Sequence, residues 1–166
     1  MTLPDAEQTL AALAERMRGA VAFDARFVGI YSGGAWLADR LAQAIPGDHP
    51  VGYIDVSFYR DDFDQSGLKP AVRPSQIAFD VAGSHILLVD DVLNTGRTVR
   101  AAMNEIFDYG RPAKVDLAVL IDRGGRELPV AASIVGATIE LPHDVAVVLV
   151  RDDEGELHLT MEKRGD

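Results

Sequence analysis

Apolar positions recur along this chain at two different spacings, and the switch from one to the other predicts its elements. Between Asp5 and Val21, the residues Leu10, Leu13, Ala14, Met17 and Val21 fall three and four apart, which puts one stripe on a helix. Arg26-Phe27-Val28-Gly29-Ile30-Tyr31 is instead a short apolar run, read as a buried strand, and it ends in Ser32-Gly33-Gly34. Helical spacing returns from Ala35 to Ile45 through Trp36, Leu37, Leu41 and Ile45, until Pro46-Gly47 stops it. Val51 to Ser57, His85 to Val89 and Val115 to Ile121 predict three further strands. Thr98 to Tyr109 predicts a helix with the stripe Val99, Ala102, Met103, Ile106; Gly110 stands where a left-handed stop is wanted, and Pro112 follows. Beyond it lie the strand-like pieces Ser133-Ile134-Val135, Thr138-Ile139, Val145 to Val150 and Leu157 to Met161. The turn residues Asp152 to Gly155 would join the last two into a terminal hairpin.

Strands that alternate with helices predict an α/β domain with a mostly parallel central sheet flanked by helices. Ligands in such sheets bind beyond the carboxyl ends of the strands. One polar stretch stands out: Tyr59 to Pro74, with Arg60, Asp61, Asp62, Asp64, Lys69 and Arg73. Loops this long in compact domains are functional or disordered.

A chain of 166 residues predicts a single domain, residues 1–166, able to bury roughly 70% of the surface its unfolded form exposes. The absence of cysteine excludes disulfides, thiolate metal sites and a cysteine nucleophile. Met1-Thr2-Leu3-Pro4-Asp5 lacks the basic start and apolar run of a secretory signal, and no apolar stretch approaches the ~20 residues that span a bilayer. A cytoplasmic protein without a membrane partner is the expectation. The net charge of −10 opposes non-specific binding to nucleic acid or anionic membranes, because the long-range field repels both.

The chemistry concentrates in Val89-Asp90-Asp91-Val92-Leu93-Asn94-Thr95-Gly96-Arg97-Thr98. A buried strand delivers two adjacent carboxylates, and a short loop then leads into a helix through Thr-Gly-x-Thr. A helix start offers unpaired N–H groups and the positive end of a dipole, and the threonines add hydroxyls: the parts of a phosphate site. Asp90 and Asp91, just upstream, are placed to accept hydrogen bonds from sugar hydroxyls. Phosphate and diol together describe a ribose 5-phosphate. The plainer alternative is that Thr95 or Thr98 caps the helix and the aspartates merely end a strand.

The whole string resembles the motif with which type I phosphoribosyltransferases bind 5-phosphoribosyl-1-pyrophosphate (PRPP). Val56-Ser57-Phe58-Tyr59-Arg60-Asp61-Asp62, Gly110-Arg111-Pro112 and Asp122-Arg123-Gly124-Gly125-Arg126-Glu127-Leu128-Pro129 extend the likeness to the PyrR family, pyrimidine operon attenuators that often also act as uracil phosphoribosyltransferases. The resemblance spans roughly Phe27 to Pro142. It implies the type I phosphoribosyltransferase fold, with a small hood and a mobile loop, and the conversion of uracil and PRPP to UMP and pyrophosphate with Mg²⁺. It also implies a homodimer or higher homo-oligomer. RNA is the partner if attenuation is retained.

By that resemblance Thr95, Gly96, Arg97 and Thr98 cradle the 5-phosphate, within a PRPP-binding run that also takes in Val92, Leu93 and Asn94. Asp90 and Asp91 hold the ribose hydroxyls and count, with Arg60 of the loop, as the catalytic set. Tyr31-Ser32-Gly33-Gly34 stands in the place of the pyrophosphate loop, where Gly33 and Gly34 would let N–H groups approach the anion; a tight strand-to-helix turn is the plainer reading. Asp122 resembles the carboxylate that helps hold Mg²⁺, usually through water. Arg123, Gly124 and Gly125 would frame uracil, and Arg126 with Glu127 would serve the site or form a structural ion pair.

Two departures stand out. PyrR proteins commonly carry Thr-Arg-Gly where this chain has Ser32-Gly33-Gly34, so a cation near the leaving group is missing. They also commonly carry His where Gly125 stands, which bears on base recognition and RNA binding. An RNA reader needs a basic face, and the first helix offers Arg16 and Arg18 against Asp5, Glu7 and Glu15. The histidines at 49, 85, 143 and 158 show no metal spacing, and Trp36 reads as core or subunit interface. A receiver-like phosphoacceptor domain would use Asp90 and Asp91 with Asp122, but no lysine follows until Lys163.

Overall fold

The computed structural model describes residues 2–57 and 75–164. In chain order the elements are α1 (Ala6–Met17), β1 (Arg26–Ile30), α2 (Gly33–Ala44), β2 (Val51–Ile54), β3 (His85–Leu93), α3 (Arg97–Tyr109), β4 (Lys114–Asp122), β5 (Ile134–Thr138), β6 (Val145–Arg151) and β7 (Leu157–Lys163). Strands β1 to β5 form one parallel sheet in the order β2-β1-β3-β4-β5, and β6 and β7 form a separate antiparallel pair.

The apolar runs of β1, β3 and β4 are continuous because both faces of the sheet are covered. Side chains alternate across a strand, and the core divides accordingly. Phe27, Leu87, Val89, Ala118 and Leu120 pack on one face with Leu10, Leu13, Met17, Leu37 and Leu41 of α1 and α2. Val28, Ile30, Ile86, Leu88, Leu117 and Val119 pack on the other with Val99, Ala102 and Ile106 of α3. Helix α1 starts where Asp5 accepts the N–H of Gln8 at 2.8 Å, a side-chain cap that satisfies one of the orphan donors of its first turn. Glu7, in the same first turn, accepts from both terminal guanidinium nitrogens of Arg40 on α2 and from the N–H of Leu157 on β7 (3.1 Å), so one carboxylate joins the two helices to the hairpin.

Helix α1 ends at Met17 rather than Val21 and β2 at Ile54 rather than Ser57, and three further boundaries differ from the sequence expectation in ways that bear on the sheet. Strand β3 continues past Val89 to Leu93, since its pairing with β4 runs on through Asp90↔Val119, Val92↔Ile121 and Leu93↔Asp122. Helix α2 begins at Gly33 rather than Ala35, which makes both glycines part of its first turn. The pieces expected at 133–135 and 138–139 are one strand, β5, paired with β4 in a single register from Ala118↔Ile134 to Asp122↔Thr138. Gly136 divided them in the sequence. In the fold it lies beneath α1, whose Arg16 donates to the carbonyls of Val135 and Gly136.

Candidate active site

The carboxyl ends of β1, β3 and β4 meet two strand-to-helix turns, and a cleft of about 170 Å³ opens beside them. Asp90, Asp91, Val92, Asn94, Thr98 and Arg123 line it from the sheet side. Ala146, Val147 and Val148 of β6, with Arg164, close it from the other side. The sequence reading missed this second wall, because nothing in the alternation of β6 says which strand end the hairpin will cover.

Asp90 and Asp91 are strand residues, so the pleat turns them to opposite faces. Asp90 is buried and Asp91 half-buried. Asp90 Oδ1 accepts the N–H of Asp91 at 2.8 Å, and Asp91 Oδ1 accepts that of Val92 at 2.7 Å. Asp91 Oδ2 lies against Gly33, where a Cβ would collide with it. The turn between β1 and α2 therefore packs against the acidic end of β3, the strand that leads into the other turn.

The turn between β3 and α3 rests on Gly96, the N-cap of α3, with φ +94°, a left-handed conformation that side chains disfavour. No side chain caps this helix, although Thr95 Oγ1 accepts the N–H of Arg97 at 3.2 Å. The N–H groups of Gly96, Thr98 and Val99 have no partner among the described residues. They are the orphan donors that make a helix start an anion site. The carbonyls of the same turn are engaged: that of Asn94 accepts from Arg126 Nη1 (2.9 Å), and that of Thr95 from the N–H groups of Glu127 (2.9 Å) and Leu128 (3.1 Å). The Arg97 guanidinium turns outward to Glu127 at 2.8 Å.

The turn between β1 and α2 is shaped by contact instead. The Tyr31–Ser32 peptide is cis, and Ser32, the N-cap of α2, makes no side-chain capping bond. A Cβ on Gly34 would strike the Val89 carbonyl oxygen, so only glycine lets α2 begin so close to β3. Tyr31 stacks on Tyr53 with ring centroids 5.5 Å apart, and Tyr53 donates to Asp39 of α2. Burial, the bond to Asp39 and its negative charge push the Tyr53 hydroxyl up to about 12.

In the segment after β4, Asp122 Oδ1 accepts the N–H of Gly124 at 2.9 Å and Oδ2 takes Arg126 Nη2 at 2.7 Å. Burial raises the Asp122 carboxyl, but the bonds from Arg126 and Gly124 and the guanidinium charge outweigh it and leave the carboxyl below its usual range. The ion pair considered between Arg126 and Glu127 is replaced by two others, Arg126–Asp122 and Arg97–Glu127. Arg123, 8% exposed, sends its guanidinium to the carbonyls of Val145 and Pro142 (3.1 Å to the latter), so it ties β4 to the hairpin. Gly124 and Gly125 both have positive φ. A Cβ on Gly125 would meet the end of the Asn94 side-chain amide at 2.7 Å. With its amide turned to suit its neighbours, Asn94 donates to the Gly124 carbonyl (2.9 Å) and accepts from Arg164 (2.8 Å).

Arg60, with Arg73 and the rest of the stretch 59–74 expected to close over a ligand, lies outside the described residues.

A parallel five-stranded sheet with an acidic strand end beside unpartnered helix-start amides fits the class of type I phosphoribosyltransferases. Solved structures agree. A hypoxanthine-guanine phosphoribosyltransferase of Bacillus anthracis superposes with a TM-score of 0.67 at 19% identity, over 87% of this chain and 85% of that one. A purine phosphoribosyltransferase of Pyrococcus horikoshii does so with a TM-score of 0.64 at 27% identity, over 84% and 86%. The phosphoribosyl transferase domain model matches residues 4–154. Curated sequences called bifunctional protein PyrR are 46% identical in Pseudomonas paraeruginosa and 47% in Pseudomonas aeruginosa, each over 99% of this chain and 96% of the relative. The chain belongs to the phosphoribosyltransferases and, among them, to the PyrR family.

Proposed function

We propose that this phosphoribosyltransferase joins uracil to the ribosyl carbon of PRPP, releasing pyrophosphate and forming UMP. The observation that carries the reading is one acidic strand end flanked by two strand-to-helix turns. Unpartnered amides at Gly96, Thr98 and Val99 lie on one side of it, and Gly33 lies against Asp91 on the other. In this reading Thr95 to Thr98 take the 5-phosphate, within the PRPP-binding run from Val92, while Asp90 and Asp91 take the ribose hydroxyls. Ser32, Gly33 and Gly34 take the pyrophosphate, and Gly124 and Gly125 border the base.

No nucleophile is needed. Charge develops on the ribose as the bond to pyrophosphate breaks, and catalysis comes from holding both reactants in line and from N–H donors aimed at the departing anion. Mg²⁺ keeps several waters and takes most of its ligands from substrate phosphates, so few protein carboxylates are needed. Asp122, whose oxygens already accept from Gly124 and Arg126, would hold it through water. The ion would neutralise charge on the pyrophosphate.

The test is UMP formation from uracil, PRPP and Mg²⁺, with hypoxanthine and guanine as competing acceptors. No UMP at high enzyme concentration ends this reading, and preference for a purine redirects it. A second reading is a UMP-responsive RNA regulator of pyrimidine genes, favoured by the word bifunctional in the relatives' name. Against it, Arg16 of α1 donates to Val135 and Gly136, and Arg18 to Ala44 and Glu15, so both basic side chains of that helix are engaged within the fold. Titration with the chain's own pyrimidine leader RNA at low salt, with and without UMP, decides it. A single domain over residues 1–166, a cytoplasmic setting and assembly into a homodimer or larger complete the proposal; light scattering tests the last. No described helix is long and apolar enough to cross a membrane.

A further inference from the structure

The segment after β4 was expected to frame the base, yet its side chains and amides are directed largely at the neighbouring turn. Arg126 alone makes three bonds: Nη2 to Asp122 (2.7 Å), Nη1 to the Asn94 carbonyl (2.9 Å) and Nε to the Val130 carbonyl (2.8 Å). Beside it the N–H groups of Glu127 and Leu128 converge on the Thr95 carbonyl. Residues 126–128 do not line the cleft, and neither do Thr95 and Gly96, but Asn94 and Thr98 on either side of them do; the bonds thus reach the turn from the side away from the cleft.

Their effect follows from the geometry of the peptide unit. In a trans peptide the C=O and the N–H point in opposite directions across a rigid plane. The unit joining Asn94 to Thr95 has its C=O fixed on Arg126, so the Thr95 N–H is turned away from the segment. The unit joining Thr95 to Gly96 has its C=O fixed on Glu127 and Leu128, so the Gly96 N–H is turned away as well. Val130, anchored by Arg126 Nε, stands 3.2 Å from where a Cβ on Gly96 would sit and backs the left-handed residue.

We propose that Arg126 is a positioning residue for PRPP: by holding the Asn94 carbonyl and anchoring Val130 beside Gly96, it fixes the shape of the turn that takes the 5-phosphate without touching the ligand. The inference rests on the reading of this turn as the 5-phosphate site. Asp122 fixes the orientation of the arginine, since it holds the guanidinium nitrogen that neither carbonyl uses. A helix start offers its dipole whatever lies behind it, but amides that are already oriented need no reordering when the anion arrives, and that cost is subtracted from affinity.

The experiment compares wild type with Arg126→Met, which keeps length and loses every donor, and with Arg126→Lys and Arg126→Gln, which each keep one donating group. Binding of PRPP with Mg²⁺ is measured by calorimetry, together with the KM for uracil and the melting temperature. Arg126→Met is expected to weaken PRPP about tenfold, equivalent to about 1.4 kcal/mol, with the uracil KM held within about twofold and Lys and Gln falling between. A purely structural arginine would lower the melting temperature and leave PRPP affinity of the folded protein unchanged, and that result overturns the proposal. So does a rise in the uracil KM at constant PRPP affinity, which would return the segment to the base side. If Arg126→Met does not fold, unchanged PRPP affinity in both Lys and Gln variants overturns it equally. Wild type that binds no PRPP sinks the proposed function itself. Wild type that binds PRPP, beside variants that bind it equally well, sinks the role of Arg126 and nothing else.

Discussion

Two strand-to-helix turns stand side by side at the carboxyl edge of this sheet, and they keep their shapes by opposite means. The turn between β3 and α3 is held by additions: one guanidinium and two amides grip its carbonyls from behind. The turn between β1 and α2 is held by subtraction. Ser32 makes no capping bond, and Gly33 and Gly34 fit against β3 because they lack side chains. A turn gripped by several bonds should weaken in steps as bonds are removed. A turn wedged against backbone should fail at once when an atom is added.

The largest effect is therefore expected at Gly34→Ala. Its methyl would meet a backbone carbonyl that cannot step aside, costing about 3 kcal/mol and roughly 6–12 °C in melting temperature. A melt within 2 °C of wild type, a difference of no more than about 1 kcal/mol on this scale, would show that the wedge is not tight. Next come the ligand-facing side chains. Asp91→Asn and Thr95→Ala each remove a hydrogen-bonding group from the proposed PRPP site, and a 10- to 100-fold loss of PRPP affinity is expected, about 1.4–2.8 kcal/mol. Calorimetry checks it, with near-UV circular dichroism to confirm the fold.

A smaller effect tests the brace through pH. The Asp122 carboxyl is depressed in the folded chain, so its contribution is present above the unfolded value of about 4 and is lost as pH falls through the lower folded value. The pair is partly exposed to solvent, which limits its worth. Asp122→Asn should melt about 1–4 °C below wild type at neutral pH, with the gap narrowing as pH falls below about 4. A gap that persists in acid would assign the loss to something other than the charge pair. The smallest net effect is expected at Gly33→Arg, where two changes oppose each other. Its new Cβ meets the Asp91 side chain as far back as its own Cβ, so the carboxylate must shift, while the added cation beside the leaving group favours PRPP. The PRPP KM should stay within about fivefold of wild type, and a larger rise would mean that the displaced Asp91 outweighs the cation.

Much of the architecture was legible before any coordinates, because β1, β3, β4 and the three helical stripes are set by apolar spacing alone. The Asp90–Thr98 string was legible for a different reason: carboxylates, glycine and threonines at a strand-to-helix junction have few other uses in combination. What was hidden depends on contacts distant in sequence. Asp90 and Asp91 broke the apolar run and seemed to end β3, but pairing to β4 carries the strand on to Leu93. Glycine at 136 looked like a break and is a point of close approach to α1. Arg126 and Glu127, adjacent in sequence, looked like partners, yet each pairs elsewhere once the chain turns through Gly124 and Gly125. The wall contributed by β6 and Arg164 had no signal at all, since an amphipathic hairpin announces a covered face and not what covers it.

Arg123 carries a consequence for dimensions. Its guanidinium runs from the end of β4 to two carbonyls of the hairpin, at Pro142 and Val145. The standoff between sheet and hairpin is thus gauged by the reach of one planar fork. Lysine, with a single point of attachment, would keep the charge and lose the calibration, leaving the aperture above Asp90 and Asp91 without a fixed width.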